Sequence, residues 1–403
     1  MFDFLRTRKS DDDPRSANAK ALGIPEGEHI HMTYASRDVA LPPDFISLTS
    51  PPPDARPVTI TPVDWESAGL PGYKGCYAVV LDNVLSPGEC AELIRLAESS
   101  VDRARMSPAP SPAPAAAPAP AVAPTASSSS SASSSTSSSS SSSPSEDGDD
   151  DGDDDGDGDG DGDGDGDGDG DGDGDGDANG DGNGGDGGNG NGAWIPAMVN
   201  VGGGFEVLDS WYRNSDRIVW DNQEVVDRLW ARCMQGSVGE VLRERLAVLD
   251  GDESLGCFQR KKPDFKLVKQ RWEFSRVNQR MRFLRYGPGQ FFRPHCDGQY
   301  GERVDGELYK TFFTLQLYMN DSVAAGGKDA ELVGGATSFL SGDGEQKVDV
   351  ECKAGRVLIF QHRRLYHAGD DVIKGTKYSM RTDMLYKLVK LEEAETEKPD
   401  EGA

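Results

Sequence analysis

A long low-complexity segment, Ser107 to Gly192, interrupts the chain and limits what the whole sequence can fold into. It opens with Ala-Pro repeats, continues as a serine run from Ser127, and includes alternating Asp-Gly between Asp155 and Asp177. Because it contains almost no large apolar side chain, nothing there can offset the entropy cost of ordering the backbone. The sequence therefore predicts a disordered segment, with the folded part assembled from the chain on both sides.

The same segment carries most of the net charge. Residues 146 to 186 contribute 21 acidic and no basic side chains, which leaves only about −7 of the formal −28 for the rest of the chain. The Asp-Gly repeat lacks the bidentate Glu and the flanking helices of an EF-hand, so a solvated polyanionic loop is expected rather than a calcium site. Loop-closure entropy grows slowly with length, so such an insertion is tolerable within one domain.

We therefore expect one domain in two pieces, with an extension at each end. The expected parts are a partly disordered N-terminal extension (1–72), the first part of the domain (73–106), the disordered insertion (107–192), the main part of the domain (193–392) and a disordered tail (393–403).

Helix signals flank the insertion, and strand signals follow it. Ser86 and Glu89 form a capping-box pattern with Pro87 at the first helical position, which predicts a helix to Ser100. The segment Asp221 to Glu224 shows the same kind of capping pattern, which predicts the start of a second amphipathic helix. Strands are expected at Val277 to Tyr286, Thr311 to Asn320, Thr337 to Leu340, Arg356 to Phe360 and Thr376 to Tyr386. This order predicts an α+β domain with a distorted barrel or jelly-roll core.

The most specific chemical signal lies between Met281 and Asp297. The segment reads as a strand, a Gly-Pro-Gly turn and then His295-Cys296-Asp297. In an extended backbone alternate side chains share a face, so His295 and Asp297 project together. One strand thus offers an imidazole and a carboxylate to one metal.

A second imidazole is available downstream, where His362 and His367 compete for the role of third ligand. We favour His367, because Ala-Gly and then a strand with cationic residues follow it. Alternation along that strand puts four polar side chains on one face: Lys377, Ser379, Arg381 and Asp383. Two histidines and one carboxylate form the facial triad of non-haem Fe(II) oxygenases.

Several of these motifs together resemble one family. They are His367-Ala-Gly, Gly375, Lys377-Tyr378, the segment from Tyr286 to Asp297, the Gly334 to Phe339 run and, upstream, Gly75 to Ser86 and Tyr212 to Asp216. They resemble the catalytic domain of prolyl 4-hydroxylase-like, 2-oxoglutarate-dependent Fe(II) dioxygenases. The resemblance implies a double-stranded β-helix core (jelly roll, cupin-like) flanked by helices, with the long disordered insertion between its parts.

The resemblance also implies a ligand set. Fe(II) would be held by His295, Asp297 and His367, and 2-oxoglutarate and O2 would be cosubstrates, with ascorbate as a candidate reductant. Lys377, ten positions after His367, matches the family lysine that holds the far carboxylate of 2-oxoglutarate.

Three further residues are candidates for the cosubstrate pocket, each with an alternative role. Tyr286 resembles the family tyrosine that hydrogen-bonds the far carboxylate, or it fills the barrel as an aromatic. Arg381 is a second candidate for that carboxylate, or it forms a structural salt bridge with Asp383 or another acid. Thr337 lines the pocket, or the Gly-Gly before it only marks a turn.

The function that the resemblance implies is hydroxylation of a substrate with release of succinate and CO2. Prolyl residues of a protein or peptide are the first candidate substrate. The same chemistry on a small molecule is an alternative, as is a catalytically silent interaction module with an acidic disordered arm. Substrate choice would depend on loops such as Asp321 to Gly335 and the region of Trp211, with Arg213 to Ser215 a candidate on the substrate side. No nucleic-acid partner is indicated, and the oligomeric state is left open.

Cysteine usage and the N-terminus favour a reducing compartment. The six cysteines show no CxxC spacing, so neither a zinc site nor a disulfide framework is indicated. The first residues lack the apolar core of a signal peptide, and no stretch approaches the roughly 20 apolar residues of a membrane span. We expect a protein without a membrane anchor, located in the cytoplasm or nucleus.

Overall fold

The computed structural model describes residues 17–110, 192–250 and 270–390, apart from Asp54, Arg103, Arg105, Gly203 and Lys328. Most of the expected insertion (111–191) and the expected tail (393–403) lie outside the described residues. The first four residues of the expected insertion, Ser107–Pro110, form a strand. The strand pairs with His29–Thr33, and this backbone pairing extends the folded part to Pro110.

Helices are few in the described part of the chain. They are α1 (Ala17–Leu22), α2 (Pro87–Ser100), α3 (Gln223–Cys233) and α4 (Gly236–Leu246), with one 3-10 turn at Pro71–Tyr73. Within the described ranges, none of these helices is long and apolar enough to cross a bilayer.

The predicted capping box of α2 is confirmed. The Ser86 hydroxyl accepts a hydrogen bond from the Glu89 backbone N–H at 3.2 Å, and the Glu89 carboxylate accepts one from the Ser86 N–H at 2.8 Å. The predicted second helix also exists, but its cap is Asn222, whose side chain accepts from the Val225 N–H. Asn222 lies within the predicted cap segment, whereas the Asp221 carboxylate is paired with Arg280 on the neighbouring strand.

Strands make up most of the fold. In chain order they are β1 (His29–Thr33), β2 (Thr59–Pro62), β3 (Ala78–Asp82), β4 (Ser107–Pro110), β5 (Ile195–Pro196), β6 (Val199–Gly202), β7 (Phe205–Val207), β8 (Arg213–Asn214), β9 (Asp216–Asp221), β10 (Val248–Leu249), β11 (Gln270–Val277), β12 (Arg280–Tyr286), β13 (Phe291–His295), β14 (Gly301–Val304), β15 (Glu307–Tyr318), β16 (Val333–Gly334), β17 (Thr337–Leu340), β18 (Lys347–Val350), β19 (Val357–Gln361), β20 (His367–Gly369), β21 (Val372–Lys374) and β22 (Lys377–Lys390).

Two antiparallel sheets form the body of the domain. The 11-stranded sheet runs β2-β3-β19-β15-β22-β12-β9-β5, with β10, β11 and β14 attached beside this path. The five-stranded sheet runs β18-β17-β20-β13-β8. Side chains from both sheets share one buried cluster, which includes Leu284, Phe360 and Phe339. Two antiparallel sheets enclosing a common interior form the expected jelly-roll core.

Helices form a third layer, packed against the face of the large sheet that points away from the small sheet. Along the large sheet, Phe283, Leu315 and Ile359 point away from the small sheet into a second cluster, where residues of α2, α3 and α4 cover them. Their chain neighbours Leu284 and Phe360 face the interior between the sheets. The architecture is therefore α+β, with helices on one face of the large sheet and the small sheet on the other.

Two expected boundaries differ from the structure. The predicted strand from Val277 to Tyr286 is a hairpin, in which β11 ends at Val277 and β12 begins at Arg280. The N-terminal extension is not separate from the domain, because Thr59–Pro62 pairs with β3 as the first strand of the large sheet. A smaller four-stranded sheet, β4-β1-β7-β6, joins further N-terminal residues to the chain after the insertion.

Candidate metal and cosubstrate site

Strand pairing in the small sheet brings two histidines together. Gly289, with a φ of +77°, lies in the turn between β12 and β13, a conformation that glycine adopts without steric cost. β13 then pairs with β20 in a register that puts His295 directly opposite His367. The two imidazole rings are 4.4 Å apart between centroids.

Asp297 completes a three-residue cluster. Potential ligand atoms of His295, Asp297 and His367 all lie within 4.8 Å of one another. Asp297 Oδ1 is 3.6 Å from His295 Nε2 and 3.9 Å from His367 Nε2. This spacing allows a single cation to contact all three side chains, and the donor set is the one typical of non-haem iron.

Backbone carbonyls orient both imidazoles. His295 Nδ1 lies 2.8 Å from the Arg293 carbonyl oxygen, and His367 Nδ1 lies 3.0 Å from that of Leu365. A carbonyl only accepts, so each ring carries a proton on Nδ1, and in the neutral imidazole Nε2 is the nitrogen left free to bind a metal. This is the tautomer that a metal ligand needs.

Electrostatics favours the deprotonated forms of His367 and Asp297. Burial, together with His295 nearby, lowers the pKa of His367 to about 3. Burial alone would raise the pKa of Asp297, but Arg381, His367 and His295 outweigh it and hold that pKa well below its usual range. Neither group has to lose a proton at neutral pH before it can bind a metal.

His362 lies away from this cluster. It is fully buried, and its Nε2 is 3.5 Å from Asp383 Oδ1. The structure thus brings His367, and not His362, to His295 and Asp297.

The two strands beside the cluster carry the expected cosubstrate residues. The register of β12 against β22 puts Tyr286 opposite Lys377, and Lys377 Nζ lies 5.1 Å from the centre of the Tyr286 ring. Lys377 is only 2% exposed, and it forms no ion pair with any described residue. A buried ammonium without a carboxylate partner is costly, so this position favours an anionic ligand.

Arg381 is engaged differently. Its Nη1 lies 2.8 Å from Asp297 Oδ1, and its Nη2 lies 3.2 Å from Asp383 Oδ1. Burial would lower the pKa of Arg381, but these two carboxylates raise it above its ordinary value. The ion pair with Asp383 that the sequence offered as an alternative role is therefore present.

These side chains line one small cavity of about 40 Å³. The triad and all four expected cosubstrate residues, Tyr286, Thr337, Lys377 and Arg381, are among its walls. Arg213, from the expected substrate-side loop, also lines it, with its guanidinium 4.5 Å above the Phe292 ring.

Residues 281–382 match the family model of the 2OG-Fe(II) oxygenase superfamily. This segment is similar to 2OG-Fe(II) oxygenases. The matched range contains every triad and cosubstrate residue named above, and the superfamily implies Fe(II), 2-oxoglutarate and O2 as the reacting partners.

The solved structures to which the chain is similar include three prolyl hydroxylases of low sequence identity. A 2OG complex of the viral collagen prolyl hydroxylase of Paramecium Bursaria Chlorella virus-1 is 19% identical, with 43% of this chain and 80% of that chain covered and a TM-score of 0.25. A prolyl-4-hydroxylase of Pseudomonas putida is 17% identical over 43% and 73%, with a TM-score of 0.26. A prolyl hydroxylase of Trichoplax adhaerens, solved with a hypoxia inducible factor peptide, is 14% identical over 48% and 70%, with a TM-score of 0.29. No curated protein matches the chain.

The polar side chains that line this cavity suit a dicarboxylate beside a metal. Besides Lys377, which forms no ion pair with a described residue, three residues that line this cavity each have a buried polar atom without a hydrogen-bond partner among the described residues: Arg213 Nε, Ser379 Oγ and Arg381 Nε. All three atoms are hydrogen-bond donors. Donors without partners around an ammonium indicate that the site is built to receive acceptor oxygens.

Sequence reasoning missed the contribution of β15 to this site. Three polar residues of β15 face the interior, Thr314, Gln316 and Tyr318. Thr314 donates a hydrogen bond to Asp297 Oδ2 at 2.5 Å. Gln316 and Tyr318 both donate to Thr337 Oγ1, at 3.0 and 2.7 Å. The period-2 alternation of these polar residues with Phe313, Leu315 and Leu317 was a readable signal that they share one face.

Proposed function

We propose that the oxygenase domain binds Fe(II) through His295, Asp297 and His367 and uses 2-oxoglutarate to hydroxylate a protein or peptide. The observation that carries the proposal is the cluster of three potential ligand atoms within 4.8 Å beside buried Lys377, which has no ion pair among the described residues. Iron with 2-oxoglutarate and O2 supplies the oxidation, releasing succinate and CO2 as one oxygen atom enters the substrate.

The chain's own residues bind and orient. The Nδ1–H bonds to Arg293 and Leu365 hold the imidazoles with Nε2 toward the metal position. Lys377 is proposed to neutralise the far carboxylate of 2-oxoglutarate, with Tyr286 packed beside the ammonium. Thr337, which already accepts two hydrogen bonds, keeps its hydroxyl proton available to donate to the same ligand.

Aromatic side chains near His295 support a peptide substrate with proline as the first residue type to test. The Tyr212 ring lies 6.4 Å from the His295 ring, and burial together with neighbouring Tyr366 raises the pKa of Tyr212 to about 12. Tyr366 is 41% exposed and directly precedes His367. Aromatic faces provide large, rigid apolar contact area, which suits the pyrrolidine ring of proline.

The proposal is tested by measuring succinate formed from 2-oxoglutarate by the full chain with Fe(II), with and without ascorbate. Proline-rich peptide pools are then added, and mass spectrometry is used to search for peptides that gain one oxygen atom. Fe(II)-dependent succinate and an oxidised prolyl peptide are the expected results. Absence of succinate under all conditions would contradict the oxygenase chemistry, while succinate with oxidation only of small molecules would contradict the peptide substrate.

A further inference from the structure

Arg381 is joined to two carboxylates at once. Its guanidinium contacts Asp297 at 2.8 Å and Asp383 at 3.2 Å. Asp383 in turn lies 3.2 Å from Arg282. The four side chains therefore form an alternating series of two arginines and two aspartates that ends on a proposed metal ligand.

The series reaches the oxygen atom that faces the metal position. Asp297 Oδ1, which is ion-paired with Arg381, is also the carboxylate oxygen 3.6 and 3.9 Å from the two histidine Nε2 atoms. The other oxygen, Oδ2, accepts from Thr314. A carboxylate oxygen has more than one lone pair, so Oδ1 can serve Arg381 and a cation together. A single atom, Asp297 Oδ1, would then lie between the Arg381 guanidinium and a bound metal.

That position has an electrostatic consequence. A guanidinium stays protonated at any ordinary pH, and charges inside a protein are screened less than those at its surface. A fixed positive charge this close to a divalent cation opposes its binding, whereas the negative charge of Asp383 reduces the opposition. Arg381 should therefore lower the affinity for the metal, and Asp383 should raise it.

We propose that Arg381 is a positioning residue that acts through Asp297, orienting Oδ1 and weakening divalent-metal binding, with Asp383 as its counter-ion. This inference rests on the proposed metal centre. It assigns Arg381 to the metal side of the cavity, and Lys377 alone remains as the cation for the far carboxylate of 2-oxoglutarate.

The test is a titration of the full chain with Mn(II), in which electron paramagnetic resonance reports free metal and neither 2-oxoglutarate nor turnover is involved. Arg381→Gln removes the charge and should tighten Mn(II) binding by about tenfold, because the repulsion between the guanidinium and the cation is lost. Asp383→Asn should weaken it. Arg381→Lys keeps the charge and should stay within about threefold of the wild type, because the charge term is unchanged.

Arg282→Gln is the matched control, because Arg282 contacts Asp383 and has no ion pair with Asp297 among those formed by the described residues. Its effect on Mn(II) binding should be smaller than that of Arg381→Gln. An equal gain in this control, or unchanged or weaker binding in a folded Arg381→Gln, overturns the inference. If circular dichroism shows that Arg381→Gln does not fold, Asp383→Asn decides: weaker binding supports the inference, and unchanged or tighter binding overturns it. A wild-type chain that binds no Mn(II) refutes the metal centre itself.

Discussion

At the scale of residues, the proposed chemistry depends on which groups in one cavity have partners and which do not. Lys377 is buried without an ion pair among the described residues, whereas Arg381 is held by two carboxylates. The sequence put both cations on one strand face but could not separate their roles, because alternation says nothing about partners on other strands. The partner that distinguishes them, Asp297, follows β13, which belongs to the other sheet.

This difference predicts separate kinetic effects. Breaking an ion pair in a desolvated site costs on the order of 3–5 kcal/mol, so Lys377→Ala should raise the apparent 2-oxoglutarate constant by about 100-fold or more. Arg381→Ala should leave that constant near the wild-type value under saturating metal. Steady-state succinate assays with varied 2-oxoglutarate check this, and a large shift in Arg381→Ala with a near-normal Lys377→Ala would reverse the assignment.

At the scale of elements, local sequence signals predicted individual helices and strands, but they did not predict the register in which the strands pair. The Ser86 capping box and the strand Thr337–Leu340 were readable, since caps and alternation are written in adjacent residues. The hairpin at Val277 was missed, although the polar pair Asn278-Gln279 between two strand-like segments was a readable turn signal. The pairing of His295 with His367 could not be read either, since cross-strand register over a long sequence separation depends on the whole sheet.

One close contact between elements makes a sharp prediction. Gly355, between β18 and β19, has a φ of +75°, and a Cβ there would lie 1.8 Å from the Leu85 carbonyl oxygen. Gly355→Ala should therefore lower the free energy of unfolding by roughly 2–4 kcal/mol through backbone strain and overpacking. Chemical denaturation measures the change.

Gly342→Ala is the control, because its Cβ would meet nothing within 4 Å. Its effect should stay within about 0.5 kcal/mol, as for other surface substitutions. A Gly355→Ala variant as stable as this control would contradict the tight contact at Leu85.

At the scale of the whole molecule, the domain is assembled from chain on both sides of residues 111–191. The large sheet takes strands from residues 59–82 and from 195 onward, so neither part is complete alone. Composition predicted this arrangement, because the intervening sequence offers no apolar core. The extent of the N-terminal contribution could not be predicted, since Thr59–Pro62 is a short strand whose pairing with β3 is only visible in the fold.

Replacement of residues 111–191 by a short Gly/Ser loop tests the insertion. Because loop-closure entropy changes only slowly with length, the melting temperature and Fe(II)-dependent succinate formation should remain near the wild-type values. A matched replacement that also removes Ser107–Pro110 deletes the strand paired with β1 and should lower the melting temperature. Loss of the fold in the first variant would mean that the replaced segment packs against the domain.

The central claim, that His295, Asp297 and His367 hold the metal to which 2-oxoglutarate binds, is tested most directly by anaerobic calorimetric titration of 2-oxoglutarate into the Mn(II)-loaded full chain. Stoichiometric binding of 2-oxoglutarate is expected only with metal present. Binding should be lost in His367→Ala. It should be retained in His362→Gln, because His362 contacts Asp383 and lies away from the cluster. Equal binding without metal, or loss in His362→Gln with retention in His367→Ala, would contradict the account.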